Sequence, residues 1–296
     1  MKVWVWIAAI WLLTACAVPE PRGRADPLLY NAQAVARADH VVVGIPGALT
    51  SVRVLAPMRL WATRDRAMAY YRLPGFDGRP GDDWVHIAGA AGHIAALAGR
   101  RHVRRIDLVG HSTGAVIALE AAKEIRRQHP DVDVRVHAIS TALPAPQPVL
   151  AGLRGAAGTV AAAWRARSLK PRVVWLEYYR RLAYGPDAQA SPQLAQAADA
   201  LVAANDSRIT LPEDGLARRH TRALRQWTNP DPGALRGARL TFYHGAVDPV
   251  FPPRQTARFV DSLPDGELRL IPGHGHLLLL TYPQVWEAVG RDVTGG

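Results

Sequence analysis

Ser112, Asp248 and His276 lie far apart in the chain, and together their side chains could turn a hydroxyl into a nucleophile. A serine hydroxyl attacks a carbonyl only when a base removes its proton. An imidazole base in turn needs a carboxylate that fixes its tautomer and stabilises the imidazolium. Ser112 sits in Gly110-His111-Ser112-Thr113-Gly114, between an apolar run that ends at Gly110 and an Ala/Ile/Leu-rich run that begins at Ala115. Glycines two before and two after the serine let a strand turn sharply into a helix at close approach. The strained turn lifts the serine Oγ clear of the sheet edge. The helix behind it offers backbone N–H groups and a positive dipole end. An ordinary strand–helix turn whose serine caps the helix fits the same five residues; the strand before and helix after favour the nucleophile.

This pentad, followed in the chain by an acid and then a histidine, resembles the α/β-hydrolase family. The resemblance implies an acid in the Gly245-x-x-Asp248-x-Val250 loop and a base in Pro272-Gly273-His274-Gly275-His276. Some members carry the acid one strand earlier, but residues 140–149 hold no Asp or Glu. His274 and His276 both follow a glycine, and only His276 precedes the apolar run 277–280, which favours it as the base. Val43-Gly44-Ile45-Pro46-Gly47 is similar to the family's oxyanion turn, with Val43 where a histidine usually stands. That similarity implies oxyanion donors at the backbone N–H of Ile45 and of Thr113. A plain Pro-Gly loop after a strand is the alternative. His111 is a common filler inside the pentad and is expected to point away from the base. Ser112 excludes the members with an aspartate nucleophile. No cofactor is implied, and no zinc-ligand spacing, Walker loop or dinucleotide fingerprint is present.

The positioning elements follow from periodicity. Residues 27–38 carry apolar side chains at helical spacing, so a short helix is expected. Three consecutive valines, Val41 to Val43, suit a strand buried on both faces of a parallel sheet. Residues 55–63 read as helix and 67–73 as strand. Asp82 and Asp83 are placed to cap a helix running to about residue 98. The serine strand and helix come next, and then a strand over 132–140. Such alternation indicates a parallel sheet with right-handed crossovers. Residues 239–243 and 267–271 supply the last strands and 286–293 the last helix. The first core strand comes early, so the expected fold is an α/β-hydrolase fold: a mainly parallel sheet of about six strands with helices on both faces. The core spans 39–142 and 237–296. Between them, 143–236 lacks strand patterning, is too long for a loop, and is expected to be a large helical lid. It holds Trp164, Trp175, Tyr178, Tyr179, Tyr184 and Trp227, expected chiefly to pack the lid itself.

The formal charge of +11 over 296 residues resembles a nucleic-acid signal. Its distribution argues against one. Only Lys2, Lys123 and Lys170 of the 36 basic residues are lysines, the arginines are scattered, and no nucleic-acid motif is present. Residues 1–15 differ from the rest: Lys2, an apolar run over 3–13, then Thr14 and Ala15. A positive start, a short apolar core and a small-residue boundary describe an export signal. Leu13-Thr14-Ala15-Cys16 resembles the lipobox of bacterial lipoproteins, and Cys16 is the sole cysteine. A lipidated Cys16, a tether and helix over 16–38, and attachment to the outer membrane facing the periplasm are therefore expected. A plain secretory signal is the alternative.

The sequence thus points to a serine hydrolase acting on a small-molecule acyl substrate, a carboxylic ester or thioester, through an acyl-enzyme on Ser112. An acyltransferase or cofactor-free haloperoxidase reuses the same residues. A non-catalytic envelope lipoprotein that binds a ligand through the lid is the reading outside enzymes.

Overall fold

The structure is a computed structural model that describes residues 26–188, 191–205, 215–228 and 231–295. The export signal and Cys16 lie outside the described residues. The chain builds a seven-stranded sheet in the order β1-β3-β2-β4-β5-β6-β7. The strands are β1 (Leu28–Tyr30), β2 (His40–Ile45), β3 (Arg66–Tyr71), β4 (Arg105–His111), β5 (Asp133–Ile139), β6 (Arg239–Gly245) and β7 (Gly266–Ile271). All neighbours pair parallel except β1, which runs antiparallel to β3.

Successive residues of a strand face opposite sides of the sheet, and both sides here are covered. Val41 and Val43 join one core with Ile106, Leu108, Val134, Val136, Leu240 and Phe242. Helices α1 (Ala32–Val35), α2 (Ile87–Ala98), α3 (Thr113–Gln128) and α8 (Pro253–Asp261) lie on that side. Val42, Val109, Ile139 and Tyr243 face the other core, under a 3-10 helix (Val52–Trp61), α9 (Leu278–Thr281) and α10 (Gln284–Thr294). Burial on both faces explains why β2 reads as an unbroken apolar run from Val41 to Ile45.

Three local expectations change. The helix expected over 27–38 shrinks to α1, and its first residues form β1, one strand more than expected. The edge of β3 is open there. Backbone pairing captures the segment, with the Arg72 N–H donating to the Pro27 carbonyl (2.7 Å). Asn31 then starts α1 by accepting the Ala34 N–H (3.0 Å). Asp82 and Asp83 do not cap α2: its N-cap is His86, with no side-chain cap bond. Asp83 is occupied by Arg79 (3.0 Å) and by the Trp84 N–H (2.8 Å). The helix expected over 55–63 is of the tighter 3-10 type, with Pro57 inside it. Proline lacks the N–H that an α-helical ladder would use at that position.

Between β5 and β6 the described chain is helical: α4 (Gln147–Ala166), α5 (Pro171–Tyr184), α6 (Pro192–Asn205), α7 (Leu216–Thr221) and two short 3-10 turns. This insertion rests on the carboxyl ends of the strands, the edge where open parallel sheets place their sites.

Candidate active site

β4 enters the turn at Gly110, and α3 leaves it at Thr113. Ser112 between them has φ 52° and ψ −117°, a conformation that an L side chain rarely adopts. The flanking glycines are required by space. A Cβ on Gly110 would stand 2.5 Å from Cα of Ala115, and one on Gly114 would stand 2.1 Å from the Ile45 carbonyl oxygen. The Ser112 N–H donates to the Ile139 carbonyl (3.0 Å), and its own carbonyl accepts from Ala142 N–H (3.2 Å). Strain at one residue is thus held by β5 on one side and by glycine-permitted packing on the other.

The structure brings Ser112, His276 and Asp248 together. Nε2 of His276 lies 3.0 Å from Ser112 Oγ, and Nδ1 lies 2.8 Å from Asp248 Oδ2. The carboxylate is acceptor-only when ionised, so Nδ1 carries the proton and Nε2 presents a lone pair to the hydroxyl. Asp248 is fixed through its other oxygen: Oδ1 accepts the N–H groups of Val250 (2.7 Å) and Phe251 (3.0 Å). Burial alone would raise the Asp248 pKa. The neighbouring His276, with help from His244 and the Phe251 N–H, outweighs it and holds the carboxyl below the usual range.

One histidine behaves differently from expectation. His111 does not point away from the base. Its ring packs on His276 with centroids 5.4 Å apart, and its Nε2–H donates to the His276 carbonyl (3.2 Å). Full burial drives its pKa down to about 3, so it stays neutral. His274 is half-buried between Tyr184 and Tyr282 and bonds Thr281 Oγ1 (2.9 Å), away from Ser112.

The loop after β2 also departs from the expected donor. Ile45 is the last residue of β2, buried and paired with Gly110. It is the carbonyls of Ile45 and Pro46 that lie against Gly114. Pro46 has no N–H. The loop first reaches the serine at Gly47, where a Cβ would be 3.0 Å from Ser112 Cβ. The N–H groups of Gly47 and Ala48 make no hydrogen bond among the described residues. They, rather than Ile45, are the donors this loop can offer. The Thr113 N–H opens α3 and has no preceding turn to bond to.

Two further histidines support the site and carry no sequence signal, because the hydrogen bonds that hold them go to main-chain groups. His244 is buried 3.5 Å from Asp248 Oδ2 and donates from Nε2 to the Phe251 carbonyl (2.8 Å), bracing the acid loop. His220, on α7, accepts the Leu49 N–H at Nδ1 (3.1 Å) and donates from Nε2 to the Pro74 carbonyl (2.7 Å). It joins the insertion to the loop after β2, and burial lowers its pKa to about 4.

The insertion grips the other loops as well. Gly275 N–H donates to the Ala183 carbonyl (2.8 Å) and Leu277 N–H to that of Leu182 (3.2 Å), tying the histidine loop to the end of α5. Arg154 on α4 donates to the Val250 carbonyl (3.0 Å) in the acid loop. Of the aromatic residues in the insertion, Trp175 packs on Tyr178, Tyr184 on His274, and Trp227 on Phe259. Trp164 does none of this. Among the described residues no three His, Cys, Asp or Glu side chains are placed to hold a metal ion.

A parallel sheet with a strained serine at a strand–helix turn, and an acid and a histidine on the loops after β6 and β7, defines the α/β-hydrolase class. The model of the alpha/beta hydrolase family matches residues 42–289, and the chain belongs to that family. Among solved structures, it is similar to MGS-M2, an alpha/beta hydrolase from a Medee basin deep-sea metagenome library: TM-score 0.63, 15% identity, covering 91% of this chain and 94% of that one. A thermophilic esterase from Thermogutta terrifontis matches with TM-score 0.61 and 17% identity, covering 91% and 96%. The enol-lactonase from Burkholderia xenovorans LB400 matches with TM-score 0.61 and 15% identity, again covering 91% and 96%. At these identities the likeness is one of fold. No curated protein matches the chain.

Proposed function

We propose that this protein is a serine hydrolase of carboxylic esters or thioesters, working through an acyl-enzyme on Ser112. The observation that carries the reading is the unbroken relay from Ser112 Oγ to His276 (3.0 Å) to Asp248 (2.8 Å). In the first half-reaction Oγ attacks the acyl carbon while Nε2 of His276 takes the hydroxyl proton. The bond from the acyl carbon to the leaving oxygen or sulfur then breaks, and Nε2 gives that proton to the leaving group. Water repeats the sequence on the acyl-serine, releasing the acid and restoring the hydroxyl. Asp248 keeps its charge throughout and stabilises the imidazolium. The oxyanion is received by the Thr113 N–H and by the N–H groups of Gly47 and Ala48, donors fixed before the charge develops.

The expected lipidation at Cys16 belongs to the same proposal and is supported by sequence alone: the sole cysteine directly follows the apolar run. It places the enzyme in a bacterial envelope, and Cys16→Ser is expected to release it from membranes. The test of the activity is hydrolysis of p-nitrophenyl esters of rising acyl length by the wild type and by Ser112→Ala. Turnover by the wild type that vanishes in S112A, with unchanged circular dichroism, supports the reading. S112A turnover near that of the wild type refutes it.

A further inference from the structure

Helix α4 carries a face that nothing in the described structure covers. Its inner side packs on α5: a Cβ on Gly158 would stand 2.8 Å from the Tyr178 ring, and Ala162 is buried. Its outer side is apolar. The exposed residues of the helix are Val149, Leu150, Gly152, Leu153, Ala156, Ala157, Val160, Trp164 and Arg165. At 3.6 residues per turn, all of these except Gly152 and Arg165 fall within an arc of about 120°, an unbroken stripe along the whole helix. Trp164 is 86% exposed, Leu153 64% and Val160 52%. The turn into α5 continues the surface with Leu169, 69% exposed. A single exposed apolar side chain is ordinary, but a contiguous row of them marks a contact surface.

Charge narrows the choice of contact. Between Val134 and Leu176 there is no Asp or Glu, while Arg154, Arg165, Arg167, Lys170 and Arg172 fall in the same stretch. Arg167 and Lys170 are exposed beside Trp164 and Leu169, at the far end of the stripe. A helix with one apolar face, an indole at its end and cations along its margin has the composition of an element lying in the headgroup plane of a bilayer. The cations would meet anionic headgroups, and the indole would sit at the interface.

We propose that the outer face of α4 docks this protein on the surface of a bilayer that contains anionic lipid. The docked helix stays tied to the acid loop through Arg154 and the Val250 carbonyl. The inference does not rest on Ser112 being a nucleophile or on Cys16 being lipidated.

The experiment uses the full chain carrying Cys16→Ser and Val160→Cys, with a nitroxide on the new thiol. Vesicles of equimolar phosphatidylcholine and phosphatidylglycerol are compared with phosphatidylcholine alone. On the anionic vesicles the label is expected to become more accessible to oxygen and less accessible to a water-soluble nickel chelate. A label at Glu267→Cys, on β7, is expected not to change. Adding Leu153→Glu and Trp164→Glu is expected to abolish the shift while near-ultraviolet circular dichroism stays native. High salt is expected to reduce it. A label at 160 that stays open to the chelate on vesicle-bound protein overturns the proposal, whatever the N-terminal segment does. So does an equal shift on phosphatidylcholine alone, or dipolar broadening between labels without lipid, which would make the face a contact between two copies of this chain.

Discussion

Replacing Asp248 with asparagine tests the relay at its least exposed member. The variant keeps the size of the side chain, so the outcome turns on where the amide nitrogen goes. Oδ1 accepts two N–H groups, from Val250 and Phe251. A nitrogen at that position would face two donors and lose both bonds, at roughly 1 kcal/mol each or more when buried. The amide oxygen therefore stays there, and the nitrogen takes the Oδ2 position, 2.8 Å from His276 Nδ1. A donor there forces Nδ1 to accept and moves the imidazole proton to Nε2, which faces Ser112 Oγ at 3.0 Å. A protonated Nε2 cannot take the serine proton. The loss expected from the wrong tautomer is about 10⁴ in kcat, roughly 5.5 kcal/mol of barrier. The assay is kcat for p-nitrophenyl acetate, with nitrogen-15 NMR of the histidine side chains to read the tautomer. Native stability with kcat within tenfold of the wild type would show that Asp248 does not orient the base.

Three other perturbations have definite expectations. Gly114→Ala places a Cβ at 2.1 Å from the Ile45 carbonyl oxygen and 2.6 Å from that of Pro46, both rigid main chain. It is expected to cost about 3 kcal/mol in urea unfolding and to remove activity; a cost below about 1 kcal/mol would mean that the turn has room. His244→Ala removes the brace between the Phe251 carbonyl and Asp248 and is expected to lower kcat about 10- to 100-fold with little change in KM, read from steady-state kinetics. His220 stays neutral in the fold down to about pH 4, whereas its ordinary value is 6.5. Between those values the unfolded chain binds more protons. Stability from this group is therefore complete above pH 6.5, declines as pH falls, and levels off near pH 4, a loss of up to about 3 kcal/mol. His220→Gln is expected to reduce that slope in urea melts taken across the same range, and an unchanged slope would remove His220 from the account.

Much of the frame was legible because it rests on local pattern. The valines of β2 and the glycines around Ser112 announce buried parallel strands and a tight turn within a few residues. The sequential order of serine, acid and histidine then places the three after β4, β6 and β7, at one sheet edge. What escaped reading depends on partners distant in sequence or on main-chain groups. β1 forms because β3 has a free edge, which no periodicity in residues 27–38 reveals. His111 turns onto His276 because the histidine loop folds back over the serine turn. The Ile45 backbone is spent in β2, and only the register of β2 against β4 shows that the free N–H groups lie beyond Pro46. His220 and His244 bond to carbonyls, which leave no mark in a sequence. The outer stripe of α4 is the reverse case: its apolar residues resemble core, and only the packing shows that they face outward.

The nucleophile itself admits the most direct measurement. A fluorophosphonate added to the purified protein, followed by intact-mass analysis and peptide mapping, reports whether one serine is activated. A single adduct on Ser112, absent in S112A and slowed in D248N, is the expected result. No adduct on the folded wild type, or an adduct on another residue, would contradict the claim that His276 and Asp248 activate Ser112.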